Sequence, residues 1–190
     1  MTDPSQTDPA EQTDQPEQTD LAAQTDLAAQ ADLAAQTDLV RRWTALRESA
    51  GPIEPTELDD LWAALAPVDA GDILGQWRGF AFPTGHRMGR LLVRSRWYGK
   101  RFVALDDAVP LLCVGPDGEL FSDVESGKGL ASLWNVEFRG EVTATMVYDG
   151  MAVLDHFKKV DDRTLMGIMN GRPGLVLDNG RHFYFGLERD

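Results

Sequence analysis

The chain has 190 residues, and 18 lysines and arginines against 31 aspartates and glutamates give it a formal charge of -13. That length suits one domain of roughly 100–200 residues with an appendage, not two full domains. A lone cysteine, Cys113, excludes an intrachain disulfide and a thiolate zinc cluster, as expected of a reducing compartment.

The acidic excess is concentrated at the N-terminus. Asp3, Asp8, Glu11, Asp14, Glu17, Asp20, Asp26, Asp32 and Asp38 precede the first basic residue, Arg41. Removing these nine from the 31 acids leaves 22 against 18 bases in residues 41–190, a net of -4. Neither half carries the basic excess that binds a phosphate backbone, so no nucleic-acid partner is expected. The first residues, MTDPSQTDPAEQTD, lack the basic start and apolar run of a signal peptide, and no stretch approaches ~18 consecutive apolar residues. The expectation is a cytoplasmic protein with no membrane partner.

Residues 19–42 repeat TDLAAQ-like units with a period of six. Six residues at about 100° each turn a side chain by about 240°, so Leu21, Leu27, Leu33 and Leu39 share no helical face. Residues 1–38 therefore read as a low-complexity acidic repeat tail, disordered or partly helical, and residues 39–190 as a single domain. From Leu39 the pattern changes: Leu39, Trp43 and Leu46 fall on one face of a helix that ends at Gly51-Pro52. A second short helix follows Pro55-Thr56, with Thr56 as its expected cap and Leu58, Leu61, Trp62 and Leu65 as its buried face; Pro67 ends it.

After residue 75 the pattern becomes alternating, with turns every 8–12 positions. Strands are expected at 76–82, 90–97, 101–105, 110–114, 119–124, 131–138, 141–148, 151–159, 163–169 and 181–188. Hairpin chemistry marks Gly115-Pro116-Asp117-Gly118, Arg139-Gly140 and Asp149-Gly150. Successive antiparallel hairpins favour a mainly β fold, an up-and-down barrel of the lipocalin or nitrobindin type, whose closure removes exposed edges. Such a barrel has room for one small ligand or cofactor.

Gly75-Gln76-Trp77-Arg78-Gly79 is a G-x-W-x-G string in which the glycines permit a tight entry to the first strand and Trp77 plugs the barrel floor. Downstream come Pro83-Thr84-Gly85-His86, Trp97-Tyr98-Gly99-Lys100-Arg101-Phe102, Met146-Val147-Tyr148-Asp149, Asp155-His156-Phe157-Lys158-Lys159-Val160-Asp161-Asp162 and Leu165-Met166-Gly167-Ile168-Met169. In order and spacing this set resembles the bacterial GXWXG family joined to its usual partner domain of unknown function. The first part covers about 55–115 and the second about 118–190. The resemblance implies a small β-barrel that, in some members, holds ferric heme b.

Heme needs an axial ligand, an apolar cavity and cations for its propionates. His156, mid-strand, is the expected iron ligand, with His86, on a loop, as the alternative; strand parity alone does not fix where His156 points. His182 sits in a less distinctive strand. Lys100 and Arg101, beside Tyr98, are the candidate propionate partners, and Phe102, Trp134, Phe138, Phe157, Phe183 and Phe185 supply aromatic bulk. Met166 and Met169 read as packing residues. An open iron face would allow redox or isomerisation chemistry on a small molecule. Two other readings are a metal-free, lipocalin-like carrier of a small apolar ligand, and a cofactor-free enzyme pairing His156 or His86 with Asp155 or Asp149.

Overall fold

The computed structural model describes residues 16–190, with side chains from Gln24 onward. It divides into two compact units after Asp38. Helix α1 (Pro16–Arg47) includes the repeats, and Leu27 and Leu33 are two-thirds exposed, as the six-residue period requires. Only in its last turns, from Leu39, does α1 present an apolar face, centred on buried Trp43.

Helix α2 (Pro55–Ala64) starts one residue before the expected cap. Glu54 takes the cap position, Pro55 opens the helix, and the Glu54 amide donates to Glu57 Oε1 at 3.3 Å, so Thr56 lies inside the first turn. Its buried face is Leu58, Leu61 and Trp62. Strand β1 (Ala66–Pro67) and a 3-10 turn (Ala70–Ile73) lead to β2 (Gly75–Ala81). Then follow α3 (Arg87–Arg94), β3 (Trp97–Ala104), β4 (Asp107–Val114), β5 (Leu120–Ser122), α4 (Val124–Gly127), β6 (Ala131–Phe138), β7 (Glu141–Tyr148), β8 (Val153–Asp161), β9 (Thr164–Gly171), α5 (Pro173–Val176) and β10 (Phe183–Arg189).

Eight strands, β2, β3, β4, β6, β7, β8, β9 and β10, close an antiparallel ring in chain order, with β10 returning to β2. This is an up-and-down β-barrel of irregular form. Strands β4 and β6 meet through a single pair, Ala108 with Ala131, because β5 and α4 are inserted between them. Strand β5 pairs only with β4, and β1 pairs with β8.

Residues 90–97, expected as a strand, are mostly α3. His86 caps this helix by accepting the Met88 amide at Nδ1, 3.1 Å, and Met88 and Leu92 repeat at helical spacing toward the core. Among the described residues no helix is long and apolar enough to cross a membrane.

The domain has two apolar clusters. One fills the barrel and includes Trp77, Phe102, Phe157, Phe183, Phe185 and Leu187. The other lies outside the ring, where Trp43 and the apolar face of α2 cover Val160, Met166, Ile168 and Tyr184. Both faces of β9 are thus covered, and Thr164 to Met169 are buried without alternation.

The G-x-W-x-G string performs the mechanical role expected of it. Gly75 sits at φ 131°, and a Cβ there would lie 2.6 Å from Arg189 Nη1. The Trp77 indole N–H donates to the Ile73 carbonyl at 2.8 Å, and the Arg189 guanidinium lies 4.2 Å from its ring centroid. Gly79 makes room for another tryptophan: a Cβ on it would stand 2.1 Å from the ring of Trp97.

Candidate functional site

A cavity of about 570 Å³ enters the barrel between α3, α4 and α5. Its walls are chiefly Met88, Leu91, Leu92, Leu111, Met151, Val153, Met169 and Leu175, with Arg94, Ser95, Asp123 and Ser126 as polar members. A second, inner chamber of only about 20 Å³ shares Met88, Leu92, Leu111, Tyr148 and Met169 with the first and adds Trp97, Lys100, Asp155, Phe183 and Phe185. The outer volume lies within the ~300–1,000 Å³ typical of small-molecule sites.

Three polar side chains converge at the inner chamber. Lys100 Nζ donates to Asp155 Oδ2 at 2.7 Å and to the Pro110 carbonyl at 3.2 Å, and lies 3.5 Å from Tyr148 Oη. The Tyr148 hydroxyl donates to the same Asp155 oxygen at 3.2 Å. The ammonium and carboxylate side chains are each 3% exposed. Aromatic faces surround the ammonium, with the Phe185 centroid 5.2 Å, Tyr148 5.6 Å and Trp97 5.8 Å from Nζ. Burial, then the charge and hydrogen bond of Asp155, push the Tyr148 phenol well above its ordinary pKa, so it stays protonated at neutral pH.

Local irregularity puts Lys100 inside. Register shifts on either side of Gly99 break the alternation of β3, so Trp97, Lys100 and Phe102 face the barrel while Tyr98 and Arg101 face out. Outside, the Tyr98 hydroxyl is 2.8 Å from both carboxylate oxygens of Asp190, and Arg101 donates to Gln76 Oε1 at 2.9 and 2.7 Å. Tyr98 and Arg101 thus belong to a network with Gln76 and the C-terminal residue. Of the two expected propionate partners only Lys100 reaches the cavity, where it is bound to Asp155, and Tyr98 beside them faces out with Arg101.

The histidines also fall elsewhere than expected. On β8, Val153, Asp155 and Phe157 face the barrel, and His156, Lys158 and Val160 face the outer cluster. His156 pairs across the sheet with Thr145 and Ile168 and stacks on Phe138 with centroids 4.0 Å apart. Thr145 donates its hydroxyl to the Thr143 carbonyl, so its Oγ1 accepts from His156 Nδ1–H at 2.8 Å. That leaves Nε2 to accept from Asn170 Nδ2 at 3.2 Å. Burial, with His182 and Arg139 nearby, lowers the His156 pKa to about 4 and keeps the ring neutral.

His86 packs against Phe183 at the cavity wall, but Nδ1 accepts the Met88 amide and Nε2–H donates to the Val176 carbonyl at 3.2 Å. His182 bonds the Met169 carbonyl through Nδ1 at 3.0 Å and stands edge-on to Phe138, on the outer side. No imidazole turns a free nitrogen to the cavity. In this arrangement the ring nitrogens of His156 and His86 are already hydrogen-bonded, so iron ligation by either would require breaking those bonds. Among the described residues no group of three or more His, Cys, Asp or Glu is placed to hold a metal ion. The expected aromatic bulk divides likewise: Phe102, Phe157, Phe183 and Phe185 lie inside, Phe138 outside, and Trp134 is 59% exposed. Met169 lines the cavity and Met166 the outer cluster.

Asp155 was expected only as a partner for histidine, and Tyr148 only as part of a motif. A signal for the cluster is nonetheless in the sequence: Lys100 stands two residues before Phe102 and Asp155 two before Phe157, opposite charges on otherwise apolar strand faces.

Comparison with known proteins matches residues 60–118 to the GXWXG protein family and residues 129–189 to a domain of unknown function, DUF4334. A crystal structure of a protein from Thermomonospora curvata is similar at 35% sequence identity and a TM-score of 0.71, over 80% of this chain and 99% of that one. No sequence among the curated proteins matches.

Proposed function

The chain belongs to the GXWXG family, with DUF4334 as its second part, and on that footing we propose that it binds a small apolar molecule inside its barrel without a metal, as a lipocalin-like carrier does. The observation that carries this reading is the outer cavity of about 570 Å³, walled mostly by aliphatic and methionine side chains from α3, β4, β8, β9 and α5. Apolar surface of this kind, enclosed by a closed ring, favours burial of an apolar ligand at about 25 cal/mol per Å² removed from water. Methionines at positions 88, 151 and 169 add adaptable walls suited to more than one ligand shape.

Heme b, which the family resemblance implies, is the competing occupant. Two titrations separate them. The neutral dye N-phenylnaphthylamine should bind saturably with one-to-one stoichiometry, and a cavity-filling Met88→Trp substitution should remove that binding. Absence of saturable binding, or binding indifferent to Met88→Trp, would sink the proposal. A Soret band that forms on adding hemin and is lost in His86→Ala would replace it with the heme reading.

A further inference from the structure

The inner chamber defines what the tip of the ligand must be. We infer that the apolar ligand carries one uncharged oxygen acceptor, such as a ketone carbonyl, seated between Trp97 Nε1–H and the Lys100 ammonium. This rests on the apolar-ligand reading above and adds the chemical class.

Size gives the first constraint. A space of about 20 Å³ for water-sized centres holds a single such group, since one water needs roughly 10–15 Å³ on that measure. A phosphate or other large head does not fit there, whereas one oxygen does. The main body of the ligand then occupies the outer chamber, which shares five wall residues with the inner one.

Unfilled hydrogen bonding gives the second. The Trp97 indole Nε1 is buried and has no partner, and among the described side chains in that condition only Trp97 lines this chamber. Buried donors in folded proteins are nearly always paired, so an orphan donor on a residue that lines a small space points to a missing acceptor. Lys100 offers another hydrogen: two of its three are directed to Asp155 and Pro110, and the third has only the 3.5 Å approach to Tyr148 Oη, at the limit of a hydrogen bond. Both open groups are donors, so the ligand atom is an acceptor.

Charge gives the third. Lys100 and Asp155 already neutralise each other inside the barrel. An ionised head would add an uncompensated buried charge, and a carboxylate would stand beside Asp155 as well. An uncharged oxygen meets the two donors without that cost.

The test uses the full-length protein and three probes of equal chain length: a methyl ketone, an alkane and a fatty acid at neutral pH. The ketone should displace N-phenylnaphthylamine about tenfold more tightly than the fatty acid, and more tightly than the alkane despite the greater hydrophobicity of the latter. On the unmutated protein, the Trp97 indole N–H proton resonance should move downfield with the ketone and not with the alkane. Trp97→Phe should abolish the preference for ketone over alkane; if that variant does not fold, the resonance shift decides. Alkane binding equal to or tighter than the ketone, or a preference for the fatty acid, overturns the inference while leaving the apolar cavity in place. Failure of all three probes to bind overturns both.

Discussion

The Lys100–Asp155 pair provides a double-mutant cycle whose singles and double should diverge sharply. With charges 2.7 Å apart, attraction at an effective dielectric of about 20 is roughly 6 kcal/mol. Removing the two ions from water costs several kcal/mol each, so the net contribution of the pair is near zero. Cutting one partner changes the balance. Lys100→Met leaves a carboxylate, 3% exposed, with only the Tyr148 hydroxyl. Asp155→Leu leaves an ammonium held by the Pro110 carbonyl and aromatic faces. Each single substitution should destabilise by about 3–5 kcal/mol, and the Lys100→Met/Asp155→Leu double should fall within about 1–2 kcal/mol of the unmutated protein. Urea unfolding read by circular dichroism gives all four corners, with the slope checked for constancy. Singles that each cost under about 1 kcal/mol, or a double whose cost equals their sum, would show that the two groups are not a desolvated pair. The folded double should still bind the neutral dye and lose the preference for ketone over alkane, separating the pair's part in recognition from its part in stability.

Protonation, crowding and truncation give three further expectations. The His156 pKa of about 4 lies below the ordinary 6.5, so the unfolded chain binds more protons between those values and stability falls as the pH drops through that window. The loss should reach about 3 kcal/mol near pH 4, and urea midpoints of His156→Gln should show a correspondingly shallower decline; parallel profiles would contradict the buried neutral imidazole. Gly79→Ala puts a methyl 2.1 Å from the Trp97 ring, so it should cost about 1–3 kcal/mol and weaken binding of the neutral dye, and an unchanged melting curve would refute the contact. A chain starting at Leu39 should melt within about 2 °C of the full protein, because residues 24–37 of α1 are exposed; a large drop in midpoint would show that the repeats support the fold.

Strands with strong turns at both ends could be read from the sequence almost to the residue. Strands β6 and β7 occupy 131–138 and 141–148 as expected, since Arg139-Gly140 fixes both register and length. The segment after His86 could not be, because Leu91, Leu92 and Val93 form a short apolar run that suits strand or helix, and the His86 cap and the cavity wall decide for helix. The histidine assignment turned on one step of parity. Leu154, His156, Lys158 and Val160 share a face, and only the outer apolar cluster shows that this face is packed while being outside the barrel. A buried face normally means the barrel interior; here helices supply a second one. Lys100 was legible as a candidate and not as to direction, since the break in alternation at Gly99 is a property of pairing with β4 and not of composition.

The second core has a consequence for how this protein can change over evolutionary time. Along β9 and most of β8 a polar replacement has no solvent side to turn to, so that arc of the ring is closed to drift. Two strands further along the ring, β6 carries Trp134 on its outer face in the open, 59% exposed. New surface properties are therefore free to arise around Trp134 on β6, outside the buried arc, without disturbing the cavity.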